Sequence, residues 1–284
     1  MIRHSVYLKI VFIAFLASGC KNDHPDLVPE HLGNSYEFLP ENMIARSDDG
    51  SLSARYVDPV TRYAHGILGD KIEAGGLLVV NDNKPCYFQL DEMFVFEDLQ
   101  PRLYDVDQDG ELEIIVIQTN INSGAGVQVY KISNGKLHPS MGSEYIGTSH
   151  RWLNIAAIDD LDNDGYVEIA WIETPHIGGT LKIGRVVNDS LQLLDEIEGV
   201  SNHRIGSGNL CLSVITESDG QKTLYVPDDP HQSIIGFQFR DDRILPVDTV
   251  SMAVDPSIPL FLQYDFQNRL DDENCIFSPL QERK

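Results

Sequence analysis

Aspartates stand at every second position in YDVDQDGELEIIVI, residues 104–117: Asp105, Asp107 and Asp109, followed by Gly110 and Glu113. Oxygens spaced in this way suit a hard cation. Calcium takes about 6–8 oxygen ligands, and a short loop supplies them from alternating positions. A second copy, DDLDNDGYVEIAWI at 159–172, carries Asp160, Asp162, Asp164, Gly165 and Glu168 in the same order, each 55 residues further on. A third, ITESDGQKTLYV, keeps Glu217, Asp219 and Gly220 but has Ile215 and Thr223 where the first and last carboxylates stood. We expect that copy to be metal-free. A fixed offset of this kind is the signature of a repeat architecture.

The glycine takes a backbone angle that a tight loop demands. An EF-hand opens in the same way but closes with a glutamate at position twelve. Here position twelve is Val116 or Trp171, and the closing carboxylate stands at position nine. IIVIQT and IAWIET follow, rich in β-branched and apolar residues, so each loop leads into a strand and not a helix. Without a cation, four carboxylates in one turn repel each other and destabilise the hairpin.

DVDQDGELE and DLDNDGYVE resemble the loops of FG-GAP, or VCBS, repeats, the blades of β-propellers in integrin alpha subunits and many bacterial secreted proteins. The resemblance implies calcium in a β-hairpin loop, held by side chains one, three, five and nine and the backbone carbonyl of position seven. Carried over, the first set is Asp105, Asp107, Asp109, Glu113 and the carbonyl of Glu111. The second is Asp160, Asp162, Asp164, Glu168 and the carbonyl of Tyr166. About two structural calcium sites are therefore expected. Position nine is more often Asp in the family, and the longer Glu still reaches.

The elements that must position these loops follow the same period. WLNIAAI and GNLCLSVI read as strands before the second and third loops. VQVYKI, LKIGRVV and IIGFQF read as third strands, each ending in a turn before a fourth. Four short strands per repeat match a propeller blade. Upstream, YAHGILGDKIEAGGLLVV and PCYFQLDEMFVFED look like a further blade, and SIPLFLQYDF gives one or two strands downstream. The expected fold is an all-β propeller of about five blades, with four to six open. Terminal strands would share one blade to close the ring, since an open ring leaves an unpaired edge.

The N-terminus reads separately. Arg3 and Lys9 flank an apolar run, Ile10 to Ala17, that ends in LASGC. That is a secretory signal, and it resembles the lipobox of bacterial lipoproteins, in which Cys20 is lipidated. Residues 1–19 are thus expected to be a signal peptide, 20–34 a lipidated cysteine and polar tether, and 35–284 the propeller. Lys21 after Cys20, by resemblance to enterobacterial sorting, points to the outer membrane. Removing Arg3 and Lys9 leaves 19 basic against 44 acidic residues, a net charge of −25. Nucleic acid is excluded as a natural partner, because its affinity comes from neutralising phosphates. Cys86, Cys211 and Cys275 remain, permitting one disulfide whose pairing spacing cannot choose.

No GxSxG, HExxH or phosphate loop occurs. Basic residues recur near the blade starts: Arg62 and His65, His150 and Arg151, His203 and Arg204. They are candidates for an anion pocket at a channel mouth, or for structural pairing with neighbouring acids. His176 and His231 recur 55 apart on what reads as a different loop. The leading expectation is a non-catalytic envelope lipoprotein whose calcium-stabilised propeller binds protein or glycan, touching membrane only through its lipid. The alternatives are a hydrolase or lyase of an anionic polymer, and a structural subunit of an envelope assembly.

Overall fold

The computed structural model describes residues 36–41, 43–187, 190–264 and 273–274. The chain divides into two compact units, Met1–Leu32 and Gly33–Lys284. The first unit, with the expected signal peptide and Cys20, lies outside the described residues, as do the whole expected tether and Cys275.

The second unit is all-β and antiparallel. Its first sheet takes β1 (Ala45–Arg46), β2 (Leu52–Val60), β3 (Glu73–Asn81), β4 (Lys84–Gln89), β5 (Phe94–Phe96), β6 (Arg102–Tyr104), β7 (Glu113–Asn120), β8 (Gly124–Ser133) and β9 (Lys136–Gly142). The second holds β10 (Leu153–Asp159), β11 (Glu168–Glu173), β12 (Thr180–Val187) and β13 (Ser190–Glu198) in simple meander order. The third runs through β14 (Val214–Ser218), β15 (Gln221–Pro227), β16 (Ser233–Arg240) and β17 (Arg243–Ser251). One short helix, α1 (Leu260–Gln263), follows, and then β18 (Glu273–Asn274), which pairs with β14.

Side-chain alternation explains how the sheets stack. Ile115 and Ile117 of β7 pack with Ile155, Ile169 and Trp171 of the second sheet. Ile114 and Val116 point the other way, onto Leu77 and Val79 of β3. On β11, Ala170 and Ile172 turn to Leu224 and Val226 of β15. A strand buried on both faces reads as a continuous apolar run, and IIVI and IAWI are such runs. The outer strands β13 and β17 alternate toward solvent instead. A bulge recurs between third and fourth strands at Val129/Tyr130, Ile183/Gly184 and Gly236/Phe237. The repeat is therefore visible in backbone irregularities as well as in sequence.

Two readings need correction. GNLCLSVI is extended strand only from Val214 onward. SIPLFLQYDF contains α1 where strands were expected. Gln263 closes that turn, donating to the Asp255 and Ile258 carbonyls (both 2.7 Å) while its Oε1 accepts from the Asp255 amide (2.6 Å). Leu260 is fully buried there. Among the described residues the C-terminal β18 pairs with β14 and meets no N-terminal strand. Among the described residues no sheet closes on itself. Among the described residues no helix is long and apolar enough to cross a membrane. Cys211 is disulfide-bonded and Cys86 is free.

Candidate metal centre

Each acidic loop spans eight residues between the last pair of one strand and the first of the next, with Asp159 opposite Glu168 in the second copy. In the first copy Tyr104 stands opposite Glu113. The apolar second position, Val106 or Leu161, is buried and fixes the loop to the core. Most of the bonds within the two loops match. The Val106 amide donates to Glu113 Oε2 and the Leu161 amide to Glu168 Oε2, both at 2.9 Å. Gly110 and Gly165 donate to Asp105 and Asp160 Oδ2, both at 3.0 Å. Those glycines have φ of 92° and 93°, in the left-handed region that disfavours a side chain.

This folding aims carboxylates at one point. Oxygens of Asp105, Asp107 and Glu113 lie within 4.8 Å of one another, as do those of Asp160, Asp162 and Glu168. Asp109 and Asp164 fall outside these tight triads. Each accepts from the amide two residues on, Glu111 (2.8 Å) or Tyr166 (2.9 Å). Burial pushes the Glu113 and Glu168 carboxyls up to about 7. A clustered oxygen donor set of this kind fits a hard divalent cation. Asp105 Oδ1 strengthens the fit in the first loop, because it is buried and has no hydrogen-bond partner.

Two basic side chains that the motif does not contain reach these triads from the neighbouring strand. Lys131 of β8 pairs with Asp107, Asp109 (3.4 Å) and Glu113 (3.6 Å). Arg185 of β12, directly opposite Glu168, meets Glu168 at 2.6 Å, Asp164 at 3.0 Å and Asp162 at 3.5 Å. The third copy has no such loop. Ser218 pairs with Gln221, leaving a two-residue turn at Asp219–Gly220 with φ of 52° and 70°. The loop before β3 lacks the motif, yet Glu73 opens that strand as Glu113 and Glu168 open theirs. It lines a hollow with Glu41, Asp70 and Asp98, and burial and those neighbours push its carboxyl up to about 9.

The recurring basic residues divide. His65 and His150 meet edge to face at 5.2 Å, and Tyr63 stacks on His150 at 4.9 Å. His65 Nδ1 lies 2.5 Å from Glu97 Oε1, a fully buried carboxylate whose Oε2 accepts from Thr119 (2.7 Å). Trp152 donates from Nε1 to the Glu97 carbonyl (2.8 Å) and packs against His203 at 4.7 Å. The three arginines do not join this chain of rings. Arg62 donates to the carbonyls of Phe94 (3.1 Å) and Asp91 (3.4 Å), and Arg151 to that of His150 (3.0 Å). Arg204 is exposed.

His176 does lie on a different loop, between β11 and β12, and from there it reaches His203, with Nε2 2.9 Å from His203 Nδ1. His203 Nε2 is 2.7 Å from the Ser207 carbonyl, which can only accept. A neutral His203 therefore carries its proton on Nε2 and accepts at Nδ1 from His176. Burial holds His203 down to about 4 and His176 to about 3. His231 is close enough for its charge to bear on both. Proline-histidine steps 55 residues apart were the sequence signal for this convergence.

Residues 105–171 match the family model of the FG-GAP-like repeat. The two acidic loops and the strands between them are thus an FG-GAP-like repeat. In structure the chain is similar to the rhamnogalacturonan lyase YesW (TM-score 0.40, 14% identity, 64% of this chain and 43% of that one). A Bacillus licheniformis rhamnogalacturonan lyase gives TM-score 0.37 at 12% identity over 62% of this chain and 42% of that one. A Xanthomonas type IV secretion system related protein gives 0.31 at 10% identity over 75% and 97%. The chain spans less than half the length of either lyase. No curated protein matches it in sequence.

Proposed function

We propose that this chain is a non-catalytic lipoprotein of the bacterial cell envelope. It presents a β-propeller, stiffened by calcium in its acidic loops, to a protein or glycan partner. The observation that carries the reading is the pair of matched loops, each gathering two aspartates and a buried glutamate at one point within an FG-GAP-like repeat. Calcium would be held by Asp105, Asp107 and Glu113, or by Asp160, Asp162 and Glu168, with Asp109, Asp164 and the carbonyls of Glu111 and Tyr166 completing the shells. Its contribution is to join the end of one strand to the start of the next. The face-to-face stacking of the sheets supports a propeller of about five blades. The strongly acidic surface argues against nucleic acid. Cys20 would carry the lipid that holds the chain at the outer membrane.

Calcium is expected to raise the melting temperature of the wild type and leave the double variant Asp107→Ala, Asp162→Ala unmoved. A ligand that binds only the native state adds RT ln(1 + [L]/Kd). With Kd of about 0.1–1 mM, typical of extracellular modules, 1 mM calcium adds on the order of 0.5–1.5 kcal/mol per site. Magnesium should substitute poorly, since it demands a smaller octahedral shell. A wild-type melting curve indifferent to calcium and chelator would end the metal reading. The anchor has its own test. Cys20→Ala should leave the precursor unprocessed and release any mature protein from the membrane fraction, whereas normal maturation and membrane retention would exclude lipidation.

A further inference from the structure

The two loops share a motif and most of their hydrogen bonds but not a counter-charge. At the first, the cation is Lys131, a point charge on a flexible stem that can swing to water. Its partners are the three carboxylates of its own loop, Asp107, Asp109 and Glu113. Asp105 Oδ1 stays buried and unbonded beside them. At the second, the cation is a guanidinium whose side chain is only 12% exposed. It reaches Asp162, Asp164 and Glu168, and its Nη1 also meets Asp242 (3.4 Å) from the turn between β16 and β17. The rings of Tyr166 and Phe239 flank it at 5.4 and 5.8 Å. Asp160 Oδ1, the counterpart of the unbonded oxygen, accepts from the Asp164 amide (3.1 Å).

A planar, always-charged fork held by four carboxylates and two rings does not leave as a lysine does. We propose that Arg185 is a built-in counter-cation that keeps divalent ions out of the second loop. The first loop is then the divalent site, and Lys131 lowers its affinity by having to be displaced. This rests on the reading that the chain's acidic loops are calcium-type, and narrows that reading to the first loop. It makes one motif serve two ends. The first loop is stiffened by an ion from solution. The second is stiffened permanently by a side chain that also ties the second sheet to the third.

Counting bound calcium on the purified full-length chain, by native mass spectrometry and calorimetry with calcium chloride, tests the proposal. One ion is expected on the wild type and none on Asp107→Asn. Lys131→Met should still hold one ion, tighter by on the order of tenfold or more, because a unit charge a few ångströms away has been removed. Arg185→Met should hold two. If that variant does not fold, Arg185→Lys, which keeps the charge but not the fork, should hold a second ion weakly. Two ions on the wild type, or one surviving in Asp107→Asn, would overturn the proposal while leaving the calcium reading intact. So would a single ion on a folded Arg185→Met. No ion on the wild type or on any variant would remove the calcium reading and the proposal together. An ion appearing only in the Lys131 and Arg185 variants would overturn the proposal, because the first loop would then not be a divalent site in the wild type.

Discussion

Trp152→Ala is expected to destabilise the chain by about 3–5 kcal/mol, the usual cost of truncating a buried tryptophan. That is a large share of the roughly 5–15 kcal/mol that separates folded from unfolded domains. The indole is 2% exposed and belongs to the core shared by the first and second sheets. It stacks on His176 (6.1 Å), leans on His203 and bonds the Glu97 carbonyl, so its loss frees a polar cluster as well as opening a cavity. Trp152→Phe separates the two effects. It keeps most of the apolar area but leaves the buried Glu97 carbonyl without its indole donor, which costs about 1–3 kcal/mol. Urea unfolding reads both variants, as a lower midpoint at unchanged slope. A shift below about 0.5 kcal/mol for Trp152→Ala would mean that the ring behaves as a surface substitution does, and that the histidine cluster is held from elsewhere.

What could be read along the chain was whatever lies close along it. A calcium-type loop is nine residues, so its ligands declare themselves by spacing, and the apolar runs after them declare buried strands. The counter-cations did not, because they come from across a hairpin. The glutamates repeat at an offset of 55, from Glu113 to Glu168, whereas Lys131 and Arg185 are 54 apart, so a search at the loop period passes them by. Glu73 was hidden because its loop is longer and keeps Asp70 alone in place of the alternating aspartates. The strand β2 was missed for a related reason. SARYVDPV alternates poorly and contains Pro59, which can sit in a sheet only where its missing donor is tolerated. The helix α1 was misread because a short apolar run fits either a strand or a buried turn. The bond of Glu97 to His65 and the approach of His176 to His203 join residues 32 and 27 positions apart, and only the folded repeats bring them together.

That histidine pair sets the second large expectation, a loss of stability in acid. Burial lowers His203 from 6.5 to about 4 on folding. The unfolded chain therefore takes up this proton first, so the contribution is whole above pH 6.5 and lost as pH falls toward about 4. At 1.36 kcal/mol per pKa unit the full loss is about 3 kcal/mol from this one ring, which is 1% exposed. Glu113 and Glu168 act in the opposite sense. Their carboxyls rise from 4.5 to about 7 on folding, so without metal their protonation stabilises the native state as pH falls through that range. A wild-type profile alone would blend the two. The difference between wild type and His203→Gln, measured by urea unfolding in chelator at several pH values, cancels the glutamates. The amide nitrogen can still donate to the Ser207 carbonyl, but its oxygen does not stand where the ring Nδ1 accepted from His176, so at pH 7.5 the variant should be less stable by about 1–2 kcal/mol. By pH 4.5 the order should reverse, because the wild type has lost about 2–3 kcal/mol that the variant never had. Parallel profiles across that range would mean that His203 takes up its proton as readily in the folded chain as in the unfolded one, and that burial does not hold it neutral.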